Sequence, residues 1–183
     1  MEPILSRSLT TPPEVRDNRR LVFYAAVFDV PAAVTELGQS FTEIIRPGAF
    51  QRTLAANGEV IATIEHDPAT TFARRSAGLI LQEDGRGLFA SAYLEPSPAN
   101  DRILKDVSAG RITGASFRFR DAIRGRTITT TQSGLSTHLV TDVDLIDVTL
   151  SRGNQVYRET SVSVRSDPTA ALWIRLRILK ARR

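Results

Sequence analysis

Cysteine is absent from this chain of 183 residues, and tryptophan and methionine occur once each. Without cysteine the protein has no disulfide framework, no thiolate nucleophile and no metal site that relies on sulfur ligands. No apolar run approaches the roughly 20 residues that cross a membrane. The opening residues MEPILSRSLT also lack the long apolar core of a secretory signal. These absences predict a soluble, intracellular protein.

Histidine is also scarce, since the chain contains only His66 and His138. Imidazole titrates near neutral pH and can act as a general base, and His66 stands beside Asp67 at the predicted end of a strand. A lone histidine is more often a surface or capping residue. The aspartates of TDVDLIDV (141–148) follow His138, but that stretch alternates like a solvated strand face and lacks metal-ligand spacing. We therefore predict no metal and no cofactor.

Positive charge is concentrated at the two ends of the chain, which has a formal net charge of +4. Residues 1–19 contain three prolines among polar residues and predict a flexible N-terminal arm. Residues 166–183 predict a basic C-terminal tail that is helical after its proline. Such ends are usually solvated and less often contact nucleic acid or an acidic partner. Residues 20–165 between them have the size of one domain.

The central segment predicts a β-dominated α+β fold. Alternating or β-branched strand patterns recur at short intervals, with two apolar stripes at helical spacing between them. The predicted strands are 19–29, 41–47, 59–67, 110–120 and 136–150, with a hairpin around EDGRG (83–87); the predicted helices are 48–56 and 97–110, and 30–41 is predicted as a loop. Strands this closely spaced are typical of a β-barrel or a β-sandwich.

One predicted strand, GRITGASFRFR (110–120), carries a serine on an accessible stretch of backbone. An alanine and two phenylalanines form its apolar face, while Ser116 and two arginines lie on the other face. Gly114 leaves room there for a substrate backbone. A serine becomes a nucleophile only with a base in reach, a group that orients the base and donors for the oxyanion. On the residues alone, Ser116 with His66 is one candidate pair among several, and a basic nucleic-acid-binding module is comparably plausible.

Several stretches, taken in order, resemble the tailed-phage prohead serine proteases that mature the capsid. They are FTEIIRPGAF, a strand that ends in His66-Asp67, GLILQEDGRGLFASAYL, ANDRILKDVSAGRITGASFRF and VDLIDVTLSRGNQVYRETSVSVR. Together they extend over about residues 20–165, most of the chain. No single stretch is decisive, but the ordered set is specific to that family.

The resemblance implies a fold and an activity. The family is similar in fold to the herpesvirus assemblin proteases, so a closed β-barrel with peripheral helices is expected, with 20–165 as the protease domain. The expected activity is that of a serine endopeptidase that cleaves the capsid precursor or scaffold, and itself, during prohead maturation. The expected partners are the major capsid protein precursor or scaffold as substrate and further copies of the chain, without membrane or nucleic acid. The expected location is the bacterial host cytoplasm, inside the assembling prohead.

The resemblance also implies the catalytic residues. The family's G-x-I-x-G-x-S-F-x-F stretch matches residues 110–119 and makes Ser116 the nucleophile, while its x-H-D strand end makes His66 the base. The family's acidic position in L-x-E-V-S corresponds to Asp147 of LIDVT, whereas assemblins use a second histidine, for which His138 is the only candidate. We favour Asp147, because a carboxylate stabilises the imidazolium that forms during attack better than a neutral imidazole does.

Nearby backbone N–H groups, together with Arg118 or Arg152, are the candidate donors to the oxyanion. Arg118 stands where the family has a small residue, Glu65 stands where it often has asparagine, and NQVY (154–157) replaces its P-A-Y-P. The alternative function is a non-catalytic, basic capsid-associated or nucleic-acid-binding protein that keeps the fold. Cleavage of the cognate capsid precursor would separate the two.

Overall fold

The computed structural model describes residues 4–9, 12–17, 19–36, 38–132 and 134–152. All structural statements below concern these residues. The predicted basic tail over 166–183, the domain limit at 165 and the NQVY stretch lie outside them.

The described residues form thirteen β-strands and two α-helices, together with two short 3₁₀ turns. The strands are β1 (Leu5–Leu9), β2 (Glu14–Arg16), β3 (Arg20–Val27), β4 (Ala32–Glu36), β5 (Gln39–Ile45), β6 (Ile61–Ile64), β7 (Ala73–Arg74), β8 (Ile80–Glu83), β9 (Gly87–Tyr93), β10 (Gly114–Asp121), β11 (Arg126–Thr130), β12 (Ser136–Val140) and β13 (Val143–Ser151). The helices are α1 (Gln51–Ala55) and α2 (Pro98–Ser108), both within the predicted segments. Neither of these two helices is long and apolar enough to cross a membrane.

The strands form three sheets, and none of them closes into a barrel. Strand order is β1-β10-β13-β6-β7 in the five-stranded sheet, β11-β12-β5-β4 in one four-stranded sheet and β2-β3-β9-β8 in the other. Each sheet ends in two edge strands, so the predicted closed β-barrel is wrong, although the fold is rich in sheet. An alternating pattern reports which face of a strand is buried. It does not report whether the last strand of a sheet pairs with the first.

The predicted N-terminal arm contains two strands and is not loose throughout. β1 pairs antiparallel with β10, and β2 pairs antiparallel with β3. Leu5 and Leu9, at the two ends of β1, are buried. Two of the prolines that suggested a loose arm, Pro12 and Pro13, fall between the two strands. The N-terminal segment therefore provides one edge strand of the five-stranded sheet, β1, and one of a four-stranded sheet, β2.

Two other predictions of local structure were wrong. Residues 30–41 contain β4 and the start of β5, which pair as an antiparallel hairpin and not as a loop. The long strand predicted over 136–150 is divided into β12 and β13, which lie in different sheets. The break occurs at Thr141 and Asp142, whose backbone N–H groups both donate to the Gly125 carbonyl, at 2.7 and 3.2 Å. A side chain at Gly125 would collide with the Asp142 carbonyl, so this approach requires glycine.

The five-stranded sheet positions the site. On β10, Ala115, Phe117 and Phe119 are between 0 and 2% exposed, which confirms the predicted apolar face. β13 lies between β10 and β6, antiparallel to the first and parallel to the second. Burial of the apolar face of these strands provides the main stabilisation. It also fixes the direction of the side chains on the opposite face.

Candidate active site

Ser116 lies in the middle of β10, on the face opposite the buried phenylalanines. Its cross-strand neighbours are Ser8 on β1 and Thr149 on β13. The serine is only 2% exposed. Because the backbone is paired on both sides, the sheet fixes the direction of the hydroxyl group.

His66 follows the end of β6 in a strained turn and does not continue the strand as predicted. Glu65 and His66 have φ angles of 53° and 58°, a left-handed conformation that is uncommon for residues other than glycine. The backbone N–H of Glu65 donates to the Leu150 carbonyl at 3.0 Å, and that of His66 donates to Thr149 Oγ1 at 2.9 Å. The turn is thus bound directly to β13. Strain held in place by such contacts is typical of functional sites.

Thr149 is itself held by hydrogen bonds to Thr63 on β6. Its hydroxyl accepts from Thr63 Oγ1 and donates to the Thr63 carbonyl, both at 2.9 Å. Thr63 is the register partner of Thr149 in the parallel ladder of β6 and β13. This buried pair of hydroxyl groups connects the histidine turn to the sheet.

The structure brings Ser116, His66 and Asp147 into one hydrogen-bonded row. His66 Nε2 lies 2.8 Å from Ser116 Oγ, and His66 Nδ1 lies 2.7 Å from Asp147 Oδ1. When Nδ1 carries the proton toward the carboxylate, Nε2 is free to accept from the serine hydroxyl. These are the contacts that a serine nucleophile and its base require.

Asp147 is fully buried on β13, with an exposed fraction of 0%. Its two oxygens have different partners, since Oδ1 faces the histidine and Oδ2 accepts from Arg118 Nε at 2.6 Å. Arg118 Nη2 also contacts Oδ2, so the guanidinium holds that oxygen through two nitrogens. A buried carboxylate is costly unless it is paired and hydrogen-bonded. Arg118 and His66 together satisfy that requirement.

His138, the alternative third residue, does not lie with this group. It is on β12 in a four-stranded sheet, where its ring stacks on Phe41 with 3.8 Å between ring centroids. Arg126 Nη1 lies 3.0 Å from its Nδ1 and donates to it. Asp142 and Asp144, which follow it in the sequence, bind Arg52 at 2.7 and 2.5 Å. In the described residues these two aspartates are therefore paired with an arginine and not with His138.

The two candidate arginine donors to the oxyanion are engaged elsewhere. The Arg118 guanidinium donates to Asp147 Oδ2. The Arg152 guanidinium contacts Asp106 at 3.3 Å, and its backbone N–H donates to Glu65 Oε1 at 2.6 Å. The Asp106 carboxylate also accepts from Arg111, and this hydrogen bond lowers the pKa of Asp106. Neither arginine side chain is placed against Ser116 by these contacts.

Gly114 admits the chain's own backbone, and not the substrate backbone that the sequence suggested. A Cβ at this position would lie 2.6 Å from the Leu9 carbonyl oxygen and 2.8 Å from Ser151 Oγ. The absence of a side chain therefore allows β1 to approach β10 next to the serine.

Sequence reasoning missed Ser6, whose hydroxyl contacts both His66 and Ser116. Its Oγ lies 3.0 Å from His66 Nε2 and 3.1 Å from Ser116 Oγ. Ser6 belongs to β1, which was predicted as part of the loose arm. The alternation in LSRSL (5–9), with leucines at its ends and serines between, is the signal that could have placed a strand there.

The sequence profile of the caudovirus prohead serine proteases matches residues 9–172. That range includes Ser116, His66 and Asp147 and covers most of the chain. The chain belongs to the caudovirus prohead serine protease family. This membership confirms the resemblance identified in the sequence, and it makes the chain a member of a serine protease family.

The fold of this family member is also similar to a solved structure. The bacteriophage T4 capsid assembly protease, gp21, matches with a TM-score of 0.53 and 14% sequence identity, over 82% of this chain and 98% of that chain. At this identity the likeness concerns the fold alone. No curated protein matches this prohead protease family member in sequence.

Proposed function

We propose that this chain is the serine endopeptidase that cleaves the capsid precursor, or its scaffold portion, during prohead maturation, and that it also cleaves itself. Family membership supports the class of enzyme and its place in capsid assembly. One observation carries the assignment of residues, namely the row in which Ser116 Oγ, His66 and Asp147 are joined at 2.8 and 2.7 Å. Ser116 is the proposed nucleophile, His66 the base and Asp147 the third member.

The proposed reaction follows from this row. His66 Nε2 takes the Ser116 proton while Oγ attacks the carbonyl carbon of the scissile peptide bond. The imidazolium then gives that proton to the leaving amine, which departs and leaves an acyl group on Oγ. Water attacks the acyl group by the same route, and the serine hydroxyl is restored.

Asp147 acts on the charge that forms at the histidine. It accepts from Nδ1, holds the ring in the tautomer that leaves Nε2 free, and stabilises the imidazolium. Its own position is fixed by Arg118 on Oδ2.

The proposed partners are those of an enzyme that works inside a shell. They are the major capsid protein precursor or scaffold as substrate and further copies of this chain. Nucleic acid and membrane are not part of the proposal. We place the reaction in the bacterial host cytoplasm, inside the assembling prohead.

The test is cleavage of the purified cognate capsid precursor by the full chain, compared with Ser116→Ala. We expect the variant to fold normally, since only one oxygen is removed. It should lose cleavage, because that oxygen is the proposed nucleophile. The matched control is Ser91→Ala, which removes the same oxygen from a serine that is 5% exposed on β9, in another sheet. That control should cleave as the wild type does.

Two outcomes would contradict this proposal. Precursor cleavage by a folded Ser116→Ala variant would refute the assignment of Ser116 as the nucleophile. A wild-type chain that binds the precursor or nucleic acid but does not cleave the precursor would favour the alternative, a non-catalytic capsid-associated or nucleic-acid-binding protein.

A further inference from the structure

A cleft of about 240 Å³ lies beside the candidate catalytic row. One wall is β1 with the residue before it, and the other is the end of β4. The lining residues are Ile4, Leu5, Ser6, Arg7, Ser8, Val34, Thr35 and Glu36. The cleft therefore separates the edge of the five-stranded sheet from the edge of a four-stranded sheet.

Both walls are edge strands with one side unpaired among the described residues. β1 pairs only with β10, and β4 pairs only with β5. An edge strand presents a row of N–H and C=O groups that can pair with an added extended chain. Two such edges facing one cleft form a natural binding site for a polypeptide in β conformation.

Ser6 connects this cleft to the reacting atoms. It lines the cleft, and its hydroxyl lies 3.0 Å from His66 Nε2 and 3.1 Å from Ser116 Oγ. Ser116 itself is only 2% exposed, so a substrate has to reach it along a neighbouring surface. The cleft is such a surface, and Ser6 is the lining residue through which it contacts His66 and Ser116.

The charged groups of the cleft are already paired with each other. Arg7 donates to the buried Glu43 at 2.8 Å through Nη2, and the same nitrogen lies 3.8 Å from Glu36. The remaining lining is apolar or carries small hydroxyl groups. This lining suits recognition of a polypeptide main chain with little selection among its side chains, rather than of one strongly charged group.

We infer that this cleft holds the substrate as an extended polypeptide, which pairs through its main chain with the outer edge of β1, of β4 or of both. The inference rests on the proposed function, because it assigns the route by which a peptide bond reaches Ser116. It adds a substrate-binding site formed by residues 4–8 and 34–36.

The test fills the cleft without touching the catalytic row. Thr35→Trp places a large ring at an exposed position of the β4 wall. Ser40→Trp is the matched control, because Ser40 is the exposed cross-strand partner of Thr35 and its hydroxyl lies 3.0 Å from Thr35 Oγ1. Both variants lose the same hydrogen bond, but Ser40 does not line the cleft. Ile4→Trp, on the opposite wall, is a second filling variant in case Thr35→Trp fails to fold.

Two readouts separate substrate binding from chemistry. The first is the rate of cleavage of the purified capsid precursor. The second is the rate at which a small fluorophosphonate modifies Ser116, a reaction in which Oγ bonds to phosphorus, fluoride leaves and His66 takes the serine proton. The fluorophosphonate needs the catalytic row but not the extended cleft.

We expect Thr35→Trp to lower precursor cleavage at least tenfold and to leave the fluorophosphonate rate within twofold of the wild type, with Ser40→Trp unchanged in both. Normal cleavage by the folded filling variants would overturn the inference. So would an equal loss in Ser40→Trp, or a parallel loss of fluorophosphonate labelling. A wild-type chain that is neither labelled nor able to cleave would instead refute the proposed function.

Discussion

The two histidines of this chain occupy opposite kinds of environment. His66 has a buried carboxylate on one ring nitrogen and a serine hydroxyl on the other. His138 has an arginine on Nδ1 and an aromatic ring on its face. A carboxylate favours the charged imidazolium, whereas a guanidinium opposes it. The partners of a histidine therefore decide its chemistry more than its place on a strand does.

The environment of His138 can be stated in more detail. Burial and the nearby Arg126 charge lower the pKa of His138, while Glu43, Asp121 and Glu36 act in the opposite direction. Arg126 is itself bound to Glu43 at 3.1 Å and to Asp121 at 2.9 Å. His138 thus packs within a structural cluster in which burial and Arg126 favour its neutral form.

The sharpest test of this comparison is to remove each histidine in turn. His66→Ala should lower kcat for precursor cleavage by as much as about 10⁶-fold, because the base is lost. His138→Ala should stay within about twofold of the wild type. The measurement is single-turnover cleavage of the capsid precursor. A large loss in His138→Ala with a small loss in His66→Ala would reverse the assignment.

Replacing the carboxylate tests what distinguishes the two environments. Asp147→Asn keeps the shape of the side chain but removes its charge and permits the wrong histidine tautomer. We expect kcat to fall by about 10⁴-fold, with the fold intact. Near wild-type turnover in this variant would show that His66 is oriented by another group.

Replacing Arg118, which donates to the Asp147 carboxylate, should have a smaller effect on kcat. Arg118→Ala leaves Oδ2 buried without its donor, so we expect Asp147 to lose its position and kcat to fall by about 10²-fold with little change in KM. Arg118→Lys, which keeps the charge but not the forked geometry, should recover part of the loss. Arg120→Ala is the control, since Arg120 lies on the same strand opposite Asp144 and outside the row. Equal losses in the Arg118→Ala and Arg120→Ala variants would argue for a general effect on β10.

The smallest expected effect concerns stability near His138. Because its folded-state pKa is lowered, the unfolded chain binds more protons as the pH falls below the ordinary histidine value of about 6.5. Folding stability should therefore decrease from about pH 6.5 downward until the folded-state pKa is passed. His138→Phe keeps a ring on Phe41 and should weaken this dependence. Thermal unfolding between pH 8 and pH 5 measures it, and an unchanged slope would contradict the expectation.

The sequence was sufficient for features that depend on local pattern. The apolar face of β10, the direction of Ser116 and both helices follow from spacing alone. His66 is a candidate base on the residues alone, but the family resemblance was needed to select it and to add Asp147, since the two lie far apart in the chain and no local pattern joins them. Their proximity became visible only in the structure.

Other features depend on contacts that a single sequence does not reveal. The break between β12 and β13 is caused by Gly125, which lies well before it in the chain. The left-handed turn at Glu65 and His66 is held by groups of β13. β1 was predicted as part of a loose arm because prolines stand on both sides of it in the sequence, although its own residues alternate. The closed β-barrel was implied by the family resemblance, and the strand patterns could not contradict it, because closure leaves no mark on the burial pattern of any one strand.

The order of segments in the five-stranded sheet also sets when the site can exist during synthesis. Ser116 and Asp147 follow His66 by 50 and 81 residues, and Ser6 precedes Ser116 by 110 residues. Pairings between such distant segments form late in folding. A nascent chain that has not yet reached residue 147 contains the serine and the histidine without the carboxylate or its supporting strand. The proposed catalytic row therefore cannot assemble on the ribosome until almost all of the described residues have been made, so any hydrolysis by it has to wait until the domain is nearly complete.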